Sequence, residues 1–307
     1  MTTLIIDHRN VSLDYEGECL LIRQPQQAPR SLPLSRLQRI LVMHNTQIST
    51  RLIGHCQRYG IDFIVINSRH TEHGFAVHAN HLQQAQRRQR QYQLSCDNRL
   101  SLPLAKRLIR HKLSISASVV RQHPTPEPAA PIAFTFYIHQ IKNCESLASL
   151  RGHEGSAQRA LFQHWRTCLP AELGFTSRQR RPPPDPVNAL LSLSYTLMYH
   201  EAIRQCLIHG LDPWLGLYHQ LAPGRQSLAC DLMEPLRPHI EAWVVSLFVE
   251  SELDLRHFTR QSHGCHLGKQ GREHYYAHWH QQLPAWSKKM GRYARLLARH
   301  LDQQANP

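Results

Sequence analysis

The hydrophobic pattern of this 307-residue chain changes period once, near residue 80, and that change limits the folds open to it. Before it, apolar residues come in short, partly alternating runs: Thr3-Leu4-Ile5-Ile6, Val11-Ser12-Leu13-Asp14-Tyr15, Cys19-Leu20-Leu21-Ile22 and two more between Leu32 and Met43. A period of two is the mark of strands, whose successive side chains face opposite sides. Residues 49–59 interrupt the series with a helix that puts Leu52, Ile53 and Cys56 on one face and Gly60 at its end. Residues 61–66 return to a buried strand. Beyond residue 80 the spacing is helical, with long stretches over 187–208, 233–249 and 286–300. The pattern predicts a small sheet domain carrying one helix, then a larger helical region, with no internal repeat.

Charge follows the same division. The chain carries 36 Lys+Arg against 22 Asp+Glu, a formal net charge of +14. The first 72 residues are close to balance, so the excess lies in the helical part. Residues 84–121 hold nine basic side chains, including Arg87, Arg88, Arg90, Arg107, Arg110 and Lys112, and one acid, Asp97. A solvated helix face normally mixes signs, so this run points to phosphate contact. A second basic stretch, Ser177-Arg178-Gln179-Arg180-Arg181 followed by three prolines, cannot be helix interior and reads as a mobile loop able to close over a phosphate backbone. Lys288, Lys289, Arg292 and Arg295 form a third candidate contact face. A surface this basic favours nucleic acid as partner, with anionic membrane the weaker option.

Eight cysteines (Cys19, Cys56, Cys96, Cys144, Cys168, Cys206, Cys230 and Cys265) form no C-x-x-C pair, and no apolar run reaches membrane-spanning length. With no secretory leader before the first strand, they read as reduced, packed thiols of a cytoplasmic protein. The 23 histidines are scattered without an H-E-x-x-H pair, so a single one gains meaning only from its neighbours.

Three stretches of the helical part combine acids, a histidine and turn residues. In Leu150-Arg151-Gly152-His153-Glu154-Gly155, Glu154 opens an apolar helix marked by Ala157, Leu161, Phe162 and Trp165. In the run from Gly210 to His219, Gly210 ends a helix, Asp212-Pro213 starts a turn, and His219 follows an apolar stretch. In the run from Ser227 to Pro238, Asp231 and Glu234 stand three apart on one helical face. Two carboxylates there need solvent, Arg237 or a cation; equally, Asp231 could be an N-cap with Glu234 as its capping-box partner. Taken together, carboxylates and one imidazole suit Mg²⁺ or Mn²⁺, and in a basic protein the matching chemistry is phosphoryl transfer.

These residues resemble the CRISPR-associated adaptation integrases, the Cas-one family. The likeness runs through "SLPLSRLQRILVMHNTQIS", "GIDFIVIN", "LRGHEG", "DPVNALLSLSYTLMYHE", "GLDPWLGLYH", "SLACDLMEPLRP" and "RHFTRQSHGCHLGKQGREHYY", and is most specific between residues 186 and 238, where the motifs keep family order and spacing.

The resemblance implies an α+β protein: an N-terminal β-sandwich over residues 1–78 serving dimerisation, and an all-α catalytic domain over 79–307. It implies Glu154, His219 and Glu234 as ligands of Mg²⁺ or Mn²⁺, with Asp231, Asn188 and Arg237 in supporting contacts. It also implies a homodimer, a small ferredoxin-like Cas-two partner, and joining of the 3′ ends of short DNA fragments to a CRISPR repeat as part of antiviral defence. Arg87, Arg88, Arg90, Arg107, Arg110, Arg178, Arg180, Arg181, Lys288, Lys289 and Arg292 are the expected DNA contacts. Two rival readings stand beside this one: a transposon-type integrase using the same site, and a catalytically inactive DNA-binding scaffold.

Overall fold

A computed structural model describes all residues except 1, 67–73, 79–83, 124–128, 181, 262–263 and 304–307. The chain divides into two compact units, Met1–Leu82 and Gln83–Pro307.

The first unit is built from two four-stranded sheets. One has the order β1 (Thr2–Ile6), β5 (Leu37–Val42), β7 (Asp62–Val65), β8 (Phe75–Val77), with β1, β5 and β7 parallel and β8 antiparallel. The other has the order β4 (Arg30–Pro33), β3 (Cys19–Arg23), β2 (Ser12–Glu16), β6 (Gln47–Ile48). The β2–β3 hairpin turns on Gly17 and Glu18, both at positive φ (54° and 62°), the geometry whose twist matches that of the flanking strands. Inward residues of both sheets share one core, with Leu13, Leu20 and Ile22 from one and Ile40, Val42 and Phe63 from the other. α1 (Thr50–Tyr59) adds Leu52 and Cys56 to it. Gly60, at φ 70°, ends α1 in a left-handed cap that lets the Ile61 N–H bond back to Cys56 O at 2.8 Å.

Among its described residues, the second unit is helical apart from one hairpin and the connecting loops. Its helices are α2 (Ala85–Cys96), α3 (Asn98–Gln122), α4 (Ala129–Lys142), α5 (Leu147–Cys168), α6 (Pro186–Ile208), α7 (Ser227–Met233), α8 (Arg237–Val249) and α9 (Lys269–Gln303). The expected stretch at 233–249 is divided by a 3-10 turn at Glu234–Leu236; Pro235 within the turn and Pro238 in the first turn of α8 each remove a backbone donor. The helix expected over 286–300 runs on to the 35 residues of α9. The hairpin β9 (Phe258–Gln261) and β10 (Gly264–Leu267) stands just before α9. Of the prolines expected to break the chain, Pro131 lies in the first turn of α4, and Pro124, Pro126 and Pro128 lie outside the described residues.

α6 and α8 run through the middle of this unit. α6 buries Leu190, Leu191, Leu197 and Met198, and α8 buries Ile240, Val244 and Val245. Trp243 of α8 meets Tyr275, Trp279 and Trp286 of α9 at ring-centroid distances of 5.3–5.8 Å, which fastens α9 along α8 through aromatic contacts. Among the described residues, no helix is long and apolar enough to cross a membrane.

Candidate active site

Four segments of the helical unit meet at one open cavity of about 450 Å³. α3 brings Lys112, α5 brings Glu154, the loop after α6 brings His219, and the turn between α7 and α8 brings Glu234. All three residues expected as metal ligands therefore line the same space, although 80 positions separate the outer two.

Glu154 does not open its helix. α5 starts at Leu147 behind Ser146, whose side chain caps Ser149 N, so Glu154 lies about two turns inside. Gly152 and Gly155 do not break the helix, because burial of Leu150, Ala157, Leu161 and Trp165 outweighs their low propensity. A Cβ on either glycine would meet nothing within 4 Å. The helix surface next to Glu154 is thus left bare at Gly155, which forms part of the cavity wall.

His219 is set by Asp231. The Asp231 carboxylate, 2% exposed in the middle of α7, accepts four hydrogen bonds. Its Oδ2 takes the N–H groups of Leu217 (2.6 Å) and Tyr218 (3.0 Å), and its Oδ1 takes His219 N (2.9 Å) and His219 Nδ1 (2.7 Å). The capping reading of Asp231 and Glu234 is therefore corrected: Gln226 is the N-cap of α7, and Asp231 faces the loop. Because a carboxylate only accepts, Nδ1 carries the proton and Nε2 keeps its lone pair. Nε2 stands 3.9 Å from Glu234 Oε1. The loop reaches this position because position 216 is glycine: a Cβ there would come within 2.5 Å of His219 O and 2.8 Å of Ser227 Cβ.

The two glutamates share a cation. Lys112 Nζ donates to Glu154 Oε1 and, at 2.6 Å, to Glu234 Oε2. Arg237 Nε donates to Glu234 Oε1 at 2.7 Å, and Tyr218 OH reaches Glu154 Oε2 at 3.4 Å. Burial opposes every charge in this group. It would raise the Glu234 carboxyl, but the cations of Arg237 and then Lys112 override it and hold the group well below the usual glutamate range. Burial would lower the Lys112 ammonium, and Glu234 and Glu154 outweigh that to hold it above the ordinary lysine value. With Lys112 between the carboxylates, no trio of His, Cys, Asp or Glu among the described residues encloses a metal position as arranged.

A second polar layer lies behind. Tyr195 OH donates to Glu241 Oε1 at 2.5 Å, and Gln158 Nε2 donates to the same oxygen at 3.0 Å. Burial pushes the Glu241 carboxyl above its ordinary value. The guanidinium groups of Arg237 and Arg178 lie over the Tyr195 ring, at 4.7 and 5.6 Å from its centroid.

The structure sorts the expected DNA contacts. Arg178 is half-buried and faces the cavity, donating to Asn188 Oδ1 and Ser192 Oγ at 3.0 Å each. Asn188 also accepts from Gln179 N at 2.8 Å and donates to Ser177 O at 2.9 Å, while Asp185 holds it from below. Cys265 N donates to Pro183 O at 2.8 Å, so the segment expected to move freely is tied at both ends. Arg180 is exposed on the cavity rim, and Arg181 lies outside the described residues. Arg87 has partners within the unit: it pairs with Asp302 at 2.9 and 2.7 Å and donates to His209 O, which joins α2 to α9 and α6. Arg90 donates to Leu301 O in the same joint. Arg88 is partly buried, whereas Arg107, Arg110, Lys288, Lys289 and Arg292 are exposed.

Lys112, Tyr195, Gln158 and Glu241 escaped the sequence reading. Lys112 had a signal: it sits on the α3 stripe of Ala105, Ile109, Leu113, Ser116 and Ala117, where a charge has no place without a partner. Glu241 had the same signal, following Ile240 in an apolar stretch of α8.

A two-layered sheet unit joined to a helical unit with an acid–imidazole–acid cavity defines a recognisable class, and comparison places the chain within it. The family model of CRISPR associated protein Cas1 matches residues 4–281. A Cas1 endonuclease of Thermodesulfovibrio yellowstonii is 33% identical over 98% of this chain and 99% of its own length. One of Chlorobaculum tepidum is 30% identical over 86% of this chain and 81% of its own. Among solved structures, a CAS1 protein of Thermotoga maritima superposes with a TM-score of 0.87 at 16% identity, covering 98% of this chain and 97% of the other. A casposase bound to its integration product superposes at 0.86 and 19% identity, covering 100% and 92%. The chain belongs to the CRISPR-associated Cas1 family.

Proposed function

We propose that this protein is a divalent-metal-dependent DNA endonuclease and integrase of CRISPR adaptation, which joins the 3′ ends of short DNA fragments to a repeat by phosphodiester transesterification. The observation that carries the reading is the convergence of Glu154, His219 and Glu234 on one cavity rimmed by Arg151, Arg159, Arg178 and Arg180. The donor set fits Mg²⁺ or Mn²⁺: two carboxylates already share one cation, and Asp231 leaves the Nε2 lone pair of His219 facing Glu234. A bound ion would polarise a phosphodiester oxygen.

The remaining work falls to the chain. Asp231 fixes the ring and tautomer of His219, and Arg237 holds Glu234 in its charged form. The arginines of the rim supply positive charge where a DNA backbone would enter, and the bare position at Gly155 leaves room for it. In strand transfer, the 3′ oxygen of the fragment bonds to the repeat phosphorus as the repeat's own 3′ oxygen leaves. The attacking hydroxyl gives up its proton and the leaving oxygen takes one, so charge balances. Water in place of the hydroxyl gives cleavage. Action as a homodimer with a small ferredoxin-like partner belongs to the same reading, and structural neighbours that are Cas1–Cas2 assemblies support it.

A transposon-type integrase is the second reading, favoured by the casposase likeness. The test is an integration assay on a repeat-bearing plasmid, with and without the small partner, using wild type, His219→Ala and Glu234→Gln. Metal-dependent joining at the repeat, lost in both variants while DNA affinity stays near wild type, is expected. Joining that survives either substitution would remove the site from the mechanism. Joining directed by terminal inverted repeats instead would favour the transposon reading.

A further inference from the structure

The least expected group in the cavity is a lysine. Lys112 arises from the buried stripe of α3, and its side chain is 2% exposed. Its ammonium bonds at once to Glu154 from α5 and to Glu234 from the turn before α8. These carboxylates are themselves 17% and 5% exposed, so solvent alone cannot screen them from each other. Arg237 takes the other oxygen of Glu234, while the Tyr218 hydroxyl stands at the second oxygen of Glu154. The oxygens that Lys112 bridges are therefore the ones the two glutamates present to any shared cation.

A divalent ion shared by the same pair would need oxygens at about 2.0–2.1 Å and would repel a neighbouring ammonium. The two cations cannot occupy that position together. We propose that Lys112 is the resident cation of the metal-free site: it holds Glu154 and Glu234 together, and it must give way when a divalent ion enters, so that it sets the metal affinity. This rests on the metal-binding reading given above. On this view the carboxylates are kept in place without metal, and an entering ion competes with a cation built into the chain.

The test measures Mn²⁺ binding directly, by calorimetry and by the electron paramagnetic resonance of free Mn²⁺, on full-length wild type, Lys112→Met and Glu234→Gln without DNA. Lys112→Met should bind Mn²⁺ at least about tenfold more tightly, since the net worth of a single charged hydrogen bond already corresponds to that factor. Its melting temperature should fall without metal and be raised by Mn²⁺ more than that of wild type. Equal or weaker Mn²⁺ binding by a folded Lys112→Met protein overturns the proposal. If wild type binds no Mn²⁺, or Glu234→Gln binds it as well as wild type does, the metal-site reading itself fails and the proposal falls with it. Should Lys112→Met not fold, wild type with ¹⁵N-labelled lysines decides. Saturating Mg²⁺ should shift or abolish the slowly exchanging Lys112 ammonium signal, and a signal unchanged at saturation overturns the proposal.

Discussion

Replacing Asp231 with asparagine changes one atom's chemistry at a point where four donors converge. The native carboxylate accepts from three consecutive backbone N–H groups and from His219 Nδ1, two donors on each oxygen. An amide offers one accepting oxygen and one NH₂. Whichever way it turns, two donors then face hydrogens in a site that is 2% exposed, unless the imidazole changes tautomer. Hydrogen bonds to a charged group contribute about 1.5–3 kcal/mol each, so losing two removes roughly 3–6 kcal/mol. That is a large share of the ~5–15 kcal/mol typical of a folded protein. At about 2–4 °C per kcal/mol for a unit of this size, the thermal midpoint should fall by roughly 10 °C. The turned orientation matters too. If the NH₂ faces His219, the ring must accept at Nδ1, its proton moves to Nε2, and the lone pair facing Glu234 disappears. Mn²⁺ affinity should then drop by about 10–100-fold. Thermal melts and Mn²⁺ titrations on Asp231→Asn measure both effects. A variant melting within a degree of wild type and binding Mn²⁺ equally well would refute this account of the loop.

Gly155→Ala should stabilise the protein by about 1 kcal/mol, because the glycine is inside α5 and its added Cβ meets nothing within 4 Å; Gly155→Leu should keep the fold yet weaken DNA binding, checked by melts and DNA titration. Arg87→Ala should lower stability by about 1–3 kcal/mol through loss of the Asp302 and His209 contacts, while the salt dependence of DNA affinity stays unchanged; a flatter salt slope would return Arg87 to the DNA interface. Burial first, then Lys289 and His111, push His239 down from 6.5 to about 4. Since the folded protein resists protonating it, the associated stability is complete above pH 6.5 and lost as pH falls toward 4. His239→Gln should remove up to about 2 kcal/mol of the decline between pH 7 and pH 5, read from melts at the two pH values.

The sheet unit and its helix were legible because strands and a short amphipathic helix announce themselves by period, and because Gly60 stands where the left-handed cap needs it. That Glu154, His219 and Glu234 belong together was legible from residue type in combination and from family motifs, and the three do line one cavity. Local rules failed where tertiary packing overrode them. Gly152 and Gly155 suggest a helix start and prove to be helix interior, and Asp231 suggests a cap and serves a loop twelve to fourteen positions earlier. Counting charges along residues 84–121 also could not separate a guanidinium spent on Asp302 from one left at the surface. Both look alike in sequence, and only the path of α9 distinguishes them. Lys112 was the sharper loss, since its place on an apolar stripe was visible and the basic run around it concealed the meaning.

The aromatic joint between α8 and α9 has an optical consequence. All five tryptophans lie in the helical unit, and three of them (Trp243, Trp279 and Trp286) stand within 5.3–5.8 Å of one another, close enough for their transitions to couple. Near-ultraviolet circular dichroism from that cluster will follow the tight packing of α9 on α8 and vanish when it loosens, even if helix content survives. Trp214 is different: it is 45% exposed and lies five residues before His219, in the loop that Asp231 holds. Its emission, red-shifted by water and open to collisional quenchers, reports on that loop. The molecule thus carries two native probes, one for the scaffold and one for the segment that presents the imidazole, and neither requires a label.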